Sequence, residues 1–446
     1  MSNDLNKEAN ELNKGVNDLK DEQVQLAINN SNDEQSYWSN VKRQYKKNKR
    51  AVFAIYVVGF LALIAIFADF LANEKPIVCK YEGKISAPVF KGYMVDAGWA
   101  KWPKQFQNVE WKDLDYDFAV WPLIPYLPTN LDFRNDKFVG PFEKQNVKSR
   151  KWRHRLGTDQ LGRDVLSGMI HGTRVAFLVG IVSMTIATFI GILLGSLAGF
   201  FGDNELKTSR ASIIFGALFF FPAVFYGFTS RKYDINNFGQ FLLSLLIFFG
   251  IITLGIFIGK LFKKIPVLGK QVAIPVDILI TRLIEVVVSV PVLVLVLAIT
   301  AVLSKPSILY VMVIIGMVRW TGIARFTRAE LMRQKRLEYI EASKALGFSR
   351  VRSLLKHALP NSLSPVFIAV AFGVAASILI EAFLSFLGVG VPVETVTWGQ
   401  LLSASRKATD AWWLAIFPGF AIFITVTMFN LIGEGLTDAL DPRQKR

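Results

Sequence analysis

Long apolar runs constrain this chain of 446 residues more than any other feature of its sequence. A helix of about 20 apolar residues crosses the ~30 Å hydrocarbon core of a bilayer. Hydrophobic residues make up 52% of the chain and charged residues 19%, with a mean hydropathy of +0.37, which excludes an ordinary water-soluble domain. The sequence predicts eight spans, at residues 51–71, 175–201, 211–228, 238–262, 283–303, 307–326, 362–387 and 411–432.

Basic residues beside these runs predict the orientation of the chain. Six Lys and Arg residues lie between positions 42 and 50, just before the first span. Short loops rich in Lys and Arg stay in the cytoplasm, so we expect both termini to be cytoplasmic. This topology also accounts for the net charge of +16 with no nucleic acid as a partner.

A polar segment at residues 327–361 separates the sixth span from the seventh, and the same topology places it in the cytoplasm. Its first part has helical spacing, which gives one face made of Tyr339, Ala342, Ser343 and Leu346. Gly347 is expected to end this helix, because glycine readily adopts the left-handed conformation. A second short helix is predicted up to Pro360. The spacing alone fits either a pair of docking helices or an ordinary basic loop.

A polar motif is predicted on the outer side, just before the second span. Thr158 and Asp159 are expected to cap a helix that lies on the outer membrane surface and ends at Gly172. The apolar face of this helix is predicted to contain Leu161, Val165, Leu166, Met169 and Ile170. The preceding residues, 72–155, are rich in Trp, Tyr and Pro and predict a small external lobe. That lobe serves either packing or contact with an external binding protein.

Two other features leave alternatives open. Residues 1–36 show a heptad-like rhythm, which fits either a short amphipathic helix or a disordered tail. Glu381 is the only charged residue in the span 362–387. An intramembrane carboxylate is either functional or an interfacial residue near the end of its span.

Two motifs resemble those of one protein family. The residues Glu341-Ala342-Ser343, Gly347 and Leu359-Pro360 resemble the EAA loop of bacterial ABC importer permeases, although Ser343 stands where that pattern has its second Ala. In the family this loop carries the coupling helix, which sits in a groove of the ATP-hydrolysing subunit. The string from Gly157 to Ser167 resembles the GTDxxGRDVLSR signature of the second permease subunit of oligopeptide, dipeptide and nickel importers. It departs at Gly168, where the family commonly has Arg.

The resemblance implies an all-α polytopic membrane protein with the type I ABC importer permease fold. Six core transmembrane helices are expected, with a small external lobe after the first span and an inserted two-span hairpin at about residues 202–275, which departs from the family pattern. The expected division is a cytoplasmic tail (1–50), the first span (51–71), an external segment (72–173) and a permease domain (174–442) that contains the coupling loop 327–361. The hairpin is rich in Phe and is expected outside the translocation path.

The resemblance also implies roles for three groups of residues. Coupling to the ATPase is implied for Tyr339, Glu341, Ala342, Ser343, Leu346 and Gly347. The external family motif comprises Gly157, Thr158, Asp159, Gly162, Arg163 and Asp164. A pore or gate is expected at Glu381, Gly388 and Gly390.

The chain contains no G-x-x-x-x-G-K-S/T sequence, so we expect it neither to bind nor to hydrolyse ATP. One Cys and three scattered His residues support no catalytic group and no metal site. ATP and Mg²⁺ are expected in partner subunits. The implied partners are a second permease subunit, two ATP-binding subunits, an external substrate-binding protein, a peptide substrate and the lipids of the bacterial cytoplasmic (inner) membrane.

The long aromatic external segment is most similar to the subgroup that imports longer oligopeptides and peptide antibiotics such as microcin C. Other functions stay open at this point. One is an ABC permease for nickel or another small solute, and another is a secondary transporter driven by an ion gradient with Glu381 as the coupling carboxylate. A membrane-anchored scaffold that uses the N-terminal heptads is a third, but it leaves the coupling loop without a purpose.

Overall fold

The computed structural model describes residues 39–107, 109–231, 238–302, 306–392 and 394–440. The heptad-like segment 1–36 lies outside these ranges. The described residues form two compact units, one drawn from Met1–Ala187, Leu293–Arg319 and Ser364–Arg446 and the other from Thr188–Val292 and Trp320–Leu363.

Helices dominate the secondary structure of both units. Those before the polar segment are α1 (39–47), α2 (Lys49–Ile66), α3 (Ala68–Leu71), α4 (Pro88–Asp96), α5 (Val165–Ser196), α6 (Arg210–Val224), α7 (Phe238–Leu261), α8 (Val276–Val288), α9 (Val292–Val302) and α10 (Ile308–Gln334). The remaining helices are α11 (Glu338–Ala345), α12 (Arg350–Ser353), α13 (Leu359–Asn361), α14 (Ser364–Phe386), α15 (Trp398–Ala404) and α16 (Trp413–Leu440). Five short strands are β1 (Val78–Tyr81), β2 (Lys84–Ser86), β3 (Phe118–Val120), β4 (Lys207–Ser209) and β5 (Gln271–Ala273).

Helical turns of other types extend or connect these elements. α5, α6 and α12 continue as π-helical turns at Leu197–Phe201, Phe225–Thr229 and Leu354–Ala358. Single 3₁₀ turns lie at Lys104–Phe106, Arg150–Trp152, Phe262–Lys264 and Ser405–Lys407.

The helices confirm the predicted fold class of a polytopic membrane protein. Within the described ranges, seven helical segments are long and apolar enough to cross a membrane, and the consecutive pair α8 and α9 makes an eighth candidate as a broken span. The span predicted at 283–303, with a bend at Pro291, is divided between α8 and α9, and the chain breaks between Val288 and Val292. Pro291 explains this break, since proline has no amide hydrogen and disfavours helical backbone at the residue before it.

The external lobe belongs to the first unit and has a core of its own. β1 pairs antiparallel with both β2 and β3, and Cys79 lies opposite both Ser86 and Ala119. Beside this sheet, the rings of Trp111 and Phe106 stack with centroids 5.0 Å apart. Aromatic burial of this kind supplies much of the area that a small core needs. The predicted folded lobe is therefore present, and it contains a sheet that the all-α expectation omitted.

Close contacts through small residues hold the spans of the first unit together. A side chain at Gly180 would lie 2.8 Å from Val374, and one at Gly316 would lie 2.8 Å from the carbonyl oxygen of Ser183. Both distances are shorter than a real Cβ tolerates. Since lipid is as apolar as a helix surface, membrane helices gain stability from such close packing rather than from leaving water.

The insertion in the second unit is a helical hairpin closed by a two-stranded ribbon. β4 pairs antiparallel with β5 at its base, with Thr208 opposite Val272. Two glycines of α7 lie against α6: a side chain at Gly259 would lie 2.5 Å from Ser212, and one at Gly255 would lie 2.6 Å from Phe219. The outer surfaces of the two helices are exposed and apolar, with Phe221 75% and Phe249 60% accessible.

We predict that Gly259→Leu separates α6 from α7, because the new side chain has no space beside Ser212. Overpacking of this kind destabilises by about 1–3 kcal/mol. The melting temperature of the purified protein in detergent should therefore fall. Gly250→Leu is the matched control on the same helix, since nothing lies within 4 Å of its added Cβ. Equal melting temperatures for the two variants would contradict this description of the helix contact.

Candidate functional site

The first candidate site is the polar segment that follows α10, in the second unit. α11 ends at Ala345, and Gly347 follows with φ of +78°. The Phe348 amide donates to the carbonyl oxygen of Ser343 at 3.1 Å, and the Gly347 amide donates to that of Lys344 at 3.0 Å. These bonds satisfy the last carbonyl groups of the helix, and the left-handed backbone requires glycine. The structure thus contains the helix stop expected at Gly347.

α11 presents three of its predicted residues on one exposed face. Leu346 is 73% accessible, Tyr339 is 37% accessible and Ala342 is exposed between them. Glu341 is exposed as well, on a more polar side of the helix. A small residue between a leucine and a tyrosine leaves a shallow apolar surface, the kind of shape that a groove on another protein accepts.

Ser343 does not share that face, in contrast to the expectation from spacing. Its side chain is buried, its hydroxyl donates to the Ile340 carbonyl oxygen at 2.8 Å, and it lies 3.0 Å from the hydroxyl of Ser353. With 3.6 residues per turn, position 343 lies next to the side of the helix that carries the fully buried Ile340. Ser343 therefore joins α11 to α12 and is not available for docking.

A buried apolar cluster supports the exposed face from behind. Ile340 and Leu331 are fully buried in it. Its other buried members are Phe200, Phe201, Leu354 and Ala358. The Tyr339 hydroxyl donates to Gln334 at 2.6 Å, which ties α11 to the end of α10. The helix is consequently held in place within the second unit.

Ion pairs attach this segment and α10 to earlier parts of the second unit. Arg350 lies 3.4 Å from the Glu205 carboxylate and also donates to its carbonyl oxygen at 3.1 Å. Arg328 binds Asp277 in a two-pronged pair, of which the Nη2 to Oδ2 bond measures 2.7 Å. Such paired bonds give geometric specificity as well as energy. Nothing in the sequence indicates that Asp277 pairs with a residue 51 positions later.

The second candidate site is the external motif in the first unit, and its structure differs from the prediction. Residues 158–164 form a turn in which Thr158 and Asp164 make an isolated bridge, and the helix begins only at Val165. Asp164 caps it, accepting from the Ser167 amide at 2.6 Å.

The expectation of a separate surface helix capped at Thr158 and ended by Gly172 is wrong. α5 continues through Gly172. A side chain at this position would lie 2.6 Å from Trp398, so the glycine allows close packing and does not end the helix.

The turn is built from bonds inside the motif. Asp159 accepts from the amides of Leu161 and Arg163 at 2.9 Å each, and from the Arg163 guanidinium at 2.7 Å. Gly157 and Gly162 have φ of +78° and +75°. A Cβ on Gly162 would overlap the carbonyl oxygen of Asp132. Both glycines are required by backbone geometry, and the polar atoms of Asp159 are saturated by its neighbours.

His154 is a buried residue of this site whose contacts sequence reasoning missed. It is fully buried, with Nδ1 2.8 Å from Asp164 Oδ2 and Nε2 3.2 Å from Asp132 Oδ2. Burial alone would lower the pKa of the imidazole, but the hydrogen bonds and charges of the two carboxylates outweigh it and raise the pKa above 6.5. Burial likewise opposes a low pKa for Asp132, yet hydrogen bonds from His154 and Asn135 lower it to about 2. The imidazole therefore joins the lobe to the start of α5, and its two carboxylate partners favour its charged form.

Other bonds extend this junction to further elements of the first unit. The Trp413 indole donates to the Thr158 carbonyl oxygen at 3.1 Å, and the Trp398 indole donates to that of Met169 at 3.0 Å. The Ser167 hydroxyl donates to the Tyr126 carbonyl oxygen at 2.8 Å. The motif thus holds the lobe, α5, α15 and α16 of this unit together.

The residues expected at a pore or gate also lie in the first unit. Glu381 is 1% accessible inside α14, where the Ser385 hydroxyl donates to its carboxyl at 2.5 Å. It is therefore buried within the first unit, near the C-terminal end of α14. Gly388 and Gly390 follow with φ of +76° and +80°, and a side chain at Gly390 would lie 2.9 Å from Val311. In the described part of the chain, no group of three His, Cys, Asp or Glu residues could hold a metal ion.

We predict that His154 makes the stability of the lobe depend on pH. Because its pKa is higher in the folded state, its stabilisation is complete below about pH 6.5 and is lost as the pH rises through the raised pKa. Removing one partner of a buried ion pair costs about 3 kcal/mol or more. His154→Gln should therefore lower the resistance of the lobe to limited proteolysis at low pH and remove its decline with rising pH.

His357→Gln is the control for that experiment, since His357 lies on the polar segment, stacked on Phe348. This variant should keep the pH dependence of the wild type. An unchanged pH profile in the His154 variant would show that the imidazolium does not hold the lobe.

Comparisons with known proteins agree with this architecture. A family profile described as "Binding-protein-dependent transport system inner membrane component" matches residues 251–446, and one described as "N-terminal TM domain of oligopeptide transport permease C" matches residues 36–82. The chain is 30% identical to the di/tripeptide transport system permease protein DppC of Pseudomonas aeruginosa, over 74% of this chain and 83% of that protein.

More distant relatives match almost the whole chain. The peptidoglycan transport system permease protein YejE of Agrobacterium fabrum is 24% identical over 91% of this chain and 92% of its own length. The inner membrane ABC transporter permease protein YejE of Escherichia coli is 25% identical over 90% and 96%. The chain therefore belongs to the family of inner-membrane permease components of binding-protein-dependent transport systems, in its peptide-transport branch.

Proposed function

We propose that the chain forms half of the membrane path for peptides in an ATP-driven importer and couples to an ATPase subunit through α11. The observation that carries this proposal is the exposed face of Tyr339, Ala342 and Leu346 on a helix that is fixed from behind. Solitary exposed leucines are common on proteins. Here the leucine lies on a short helix anchored by a buried cluster and by the bonds of Ser343 and Tyr339. A rigid, apolar projection of this kind suits transmission of movement.

The remaining parts of the proposed importer follow from the family. A second permease subunit completes the path, two subunits bind and hydrolyse ATP with Mg²⁺, and an external binding protein delivers the substrate. This chain binds neither ATP nor Mg²⁺ in the proposal. Its termini and α11 lie in the cytoplasm, in agreement with the cations beside α2.

Peptides are proposed as the substrate because the relatives include permeases named for di/tripeptide, dipeptide and peptidoglycan transport. The alternative of an ion-driven carrier requires Glu381 to exchange ions with water. Glu381 is enclosed in the first unit and bonded to Ser385, which gives an ion no access in this conformation. The hairpin of α6 and α7 is proposed to lie outside the path, because its exposed surfaces are apolar and suit lipid.

If α11 couples to the ATPase through its exposed face, substitutions on that face should uncouple ATP hydrolysis from peptide uptake. Ala342→Trp and Leu346→Ser should leave membrane insertion intact and lower peptide uptake by about tenfold or more, as expected for loss of a contact worth at least ~1.4 kcal/mol. Uptake and ATP hydrolysis should be measured in proteoliposomes with all subunits and the binding protein present. Lys344→Trp is the matched control, because it adds the same ring on another side of α11. Normal uptake in both face variants would refute the proposed coupling role.

We predict that the external lobe contacts the external binding protein. Trp99 is 83% and Phe142 86% accessible, whereas Tyr126 is buried and cannot reach another protein. A photo-cross-linking amino acid at Trp99 or Phe142 should capture the binding protein in the assembled transporter, and one at Leu218 on α6 should not. Capture of the second permease subunit alone would assign the lobe a structural role.

A further inference from the structure

One charged pocket in the first unit is unrelated to either candidate site. It lies where α1, α2 and α16 meet, has a volume of about 410 Å³, and is lined by Lys47, Asn48, Lys49, Arg50, Leu431, Glu434 and Asp438. This volume falls in the range of about 300–1,000 Å³ that is usual for small-molecule sites.

The helices around this pocket are fixed by direct contacts. The Asn48 side chain accepts from the Ala51 amide at 3.1 Å, which caps α2, and donates to Asp438 Oδ2 at 3.0 Å. Ala51 is fully buried against Gly435, where an added Cβ would lie 3.0 Å from the Tyr45 ring. The start of α2 and the end of α16 therefore form a built framework, not two loose ends.

The charges in the pocket are of both signs and do not pair with each other. Lys47, Lys49 and Arg50 are exposed on one wall, and Glu434 and Asp438 lie on the other. In the part of the chain that the structure describes, none of the three cations forms an ion pair with either carboxylate. Opposite charges that face one space without direct contact suit a ligand that carries both charges.

The pocket lies at the level of lipid headgroups. α2 begins with Lys49 and Arg50 and is apolar after them. α16 has 28 residues and is about 42 Å long, so its last turns extend beyond the ~30 Å hydrocarbon core. Leu431 is the one apolar residue among those that line the pocket. A ligand that reaches this pocket from the bilayer would place its headgroup among the charges and its acyl chains along the apolar surfaces of α2 and α16.

We propose that this pocket binds the phosphoethanolamine headgroup of a phospholipid. The phosphate would meet Lys47, Lys49 and Arg50, and the ammonium would donate hydrogen bonds to Glu434 and Asp438. A purely anionic headgroup satisfies the cations but is repelled by the carboxylates. A phosphocholine headgroup has the same phosphate, but its methylated ammonium has no hydrogen to donate.

The test uses the full-length chain in its assembled transporter, reconstituted in nanodiscs with equal amounts of phosphatidylethanolamine, phosphatidylcholine and phosphatidylglycerol. Native mass spectrometry then measures which lipids the protein retains. The wild type should retain phosphatidylethanolamine in preference to the other two. Glu434→Gln, which removes an ammonium contact, should lower the ratio of retained phosphatidylethanolamine to phosphatidylcholine by about threefold, as expected for one partly exposed charged contact. Arg50→Gln removes a phosphate contact that both lipids share, so it should lower the retained amount of both by about threefold and leave their ratio unchanged.

Two controls separate this site from general charge effects. Lys46→Gln removes an exposed cation of α1 that does not line the pocket, and Asp410→Asn removes an exposed carboxylate ahead of the other end of α16. Both should keep the wild-type ratio and the wild-type amount of retained phosphatidylethanolamine. Equal retention of the three lipids, preference for phosphatidylglycerol, or the same loss in the control variants would each overturn the proposal. Peptide uptake is not part of this test, so its result is independent of the proposed transport function.

Discussion

The absence of hydrogen-bond partners in hydrocarbon determines how the membrane part of this protein is built. Every polar group in a span needs a partner within the protein. The Ser183 hydroxyl on α5 donates to the Met312 carbonyl oxygen on α10 at 2.8 Å, and Ser377 donates to a carbonyl oxygen of its own helix at 2.8 Å. Glu381 follows the same rule through Ser385. The buried hydroxyls of Thr188, Ser196 and Thr425 are exceptions among the described residues, since they have no hydrogen-bond partner. The outer surfaces of α6 and α7 are apolar, as contact with lipid requires.

The external lobe is under a different constraint, because a small segment in water has few residues from which to form a hydrophobic core. Aromatic stacking around Trp111 provides one part of that core. The His154 cluster provides another, since an imidazole that is hydrogen-bonded to a carboxylate through each ring nitrogen has a fixed orientation. The Tyr126 ring covers this imidazole with centroids 4.3 Å apart, and Lys112 lies 3.6 Å from the same ring on the lobe side. The pKa of Lys112 is lowered by burial, although nearby carboxylates oppose the shift. Charged groups and aromatic rings thus both stabilise the junction between the lobe and α5.

Sequence alone predicted the features that depend on local order along the chain. The spans followed from apolar length, and the stop at Gly347 followed from the conformational freedom of glycine. Prediction from the sequence failed where contacts between residues far apart in the chain determine the local structure. Gly172 was taken for a helix end, but its space is occupied by Trp398, more than 200 residues later. His154 was dismissed because its carboxylate partners are 10 and 22 residues away, with no regular spacing.

The two family motifs differ in how much of their hydrogen-bonding capacity is used inside the chain. In the external motif, Thr158, Asp159 and Asp164 all make internal bonds, and they are buried. A residue whose polar atoms are saturated and inaccessible cannot recognise a ligand without unfolding its own turn. On α11, by contrast, Ala342 and Leu346 are exposed and present apolar surface outward, while Ser343 turns inward beside the buried Ile340. Matching a family signature therefore does not by itself mark a contact surface: the residues of the external motif are used inside the first unit, whereas the face of α11 is exposed.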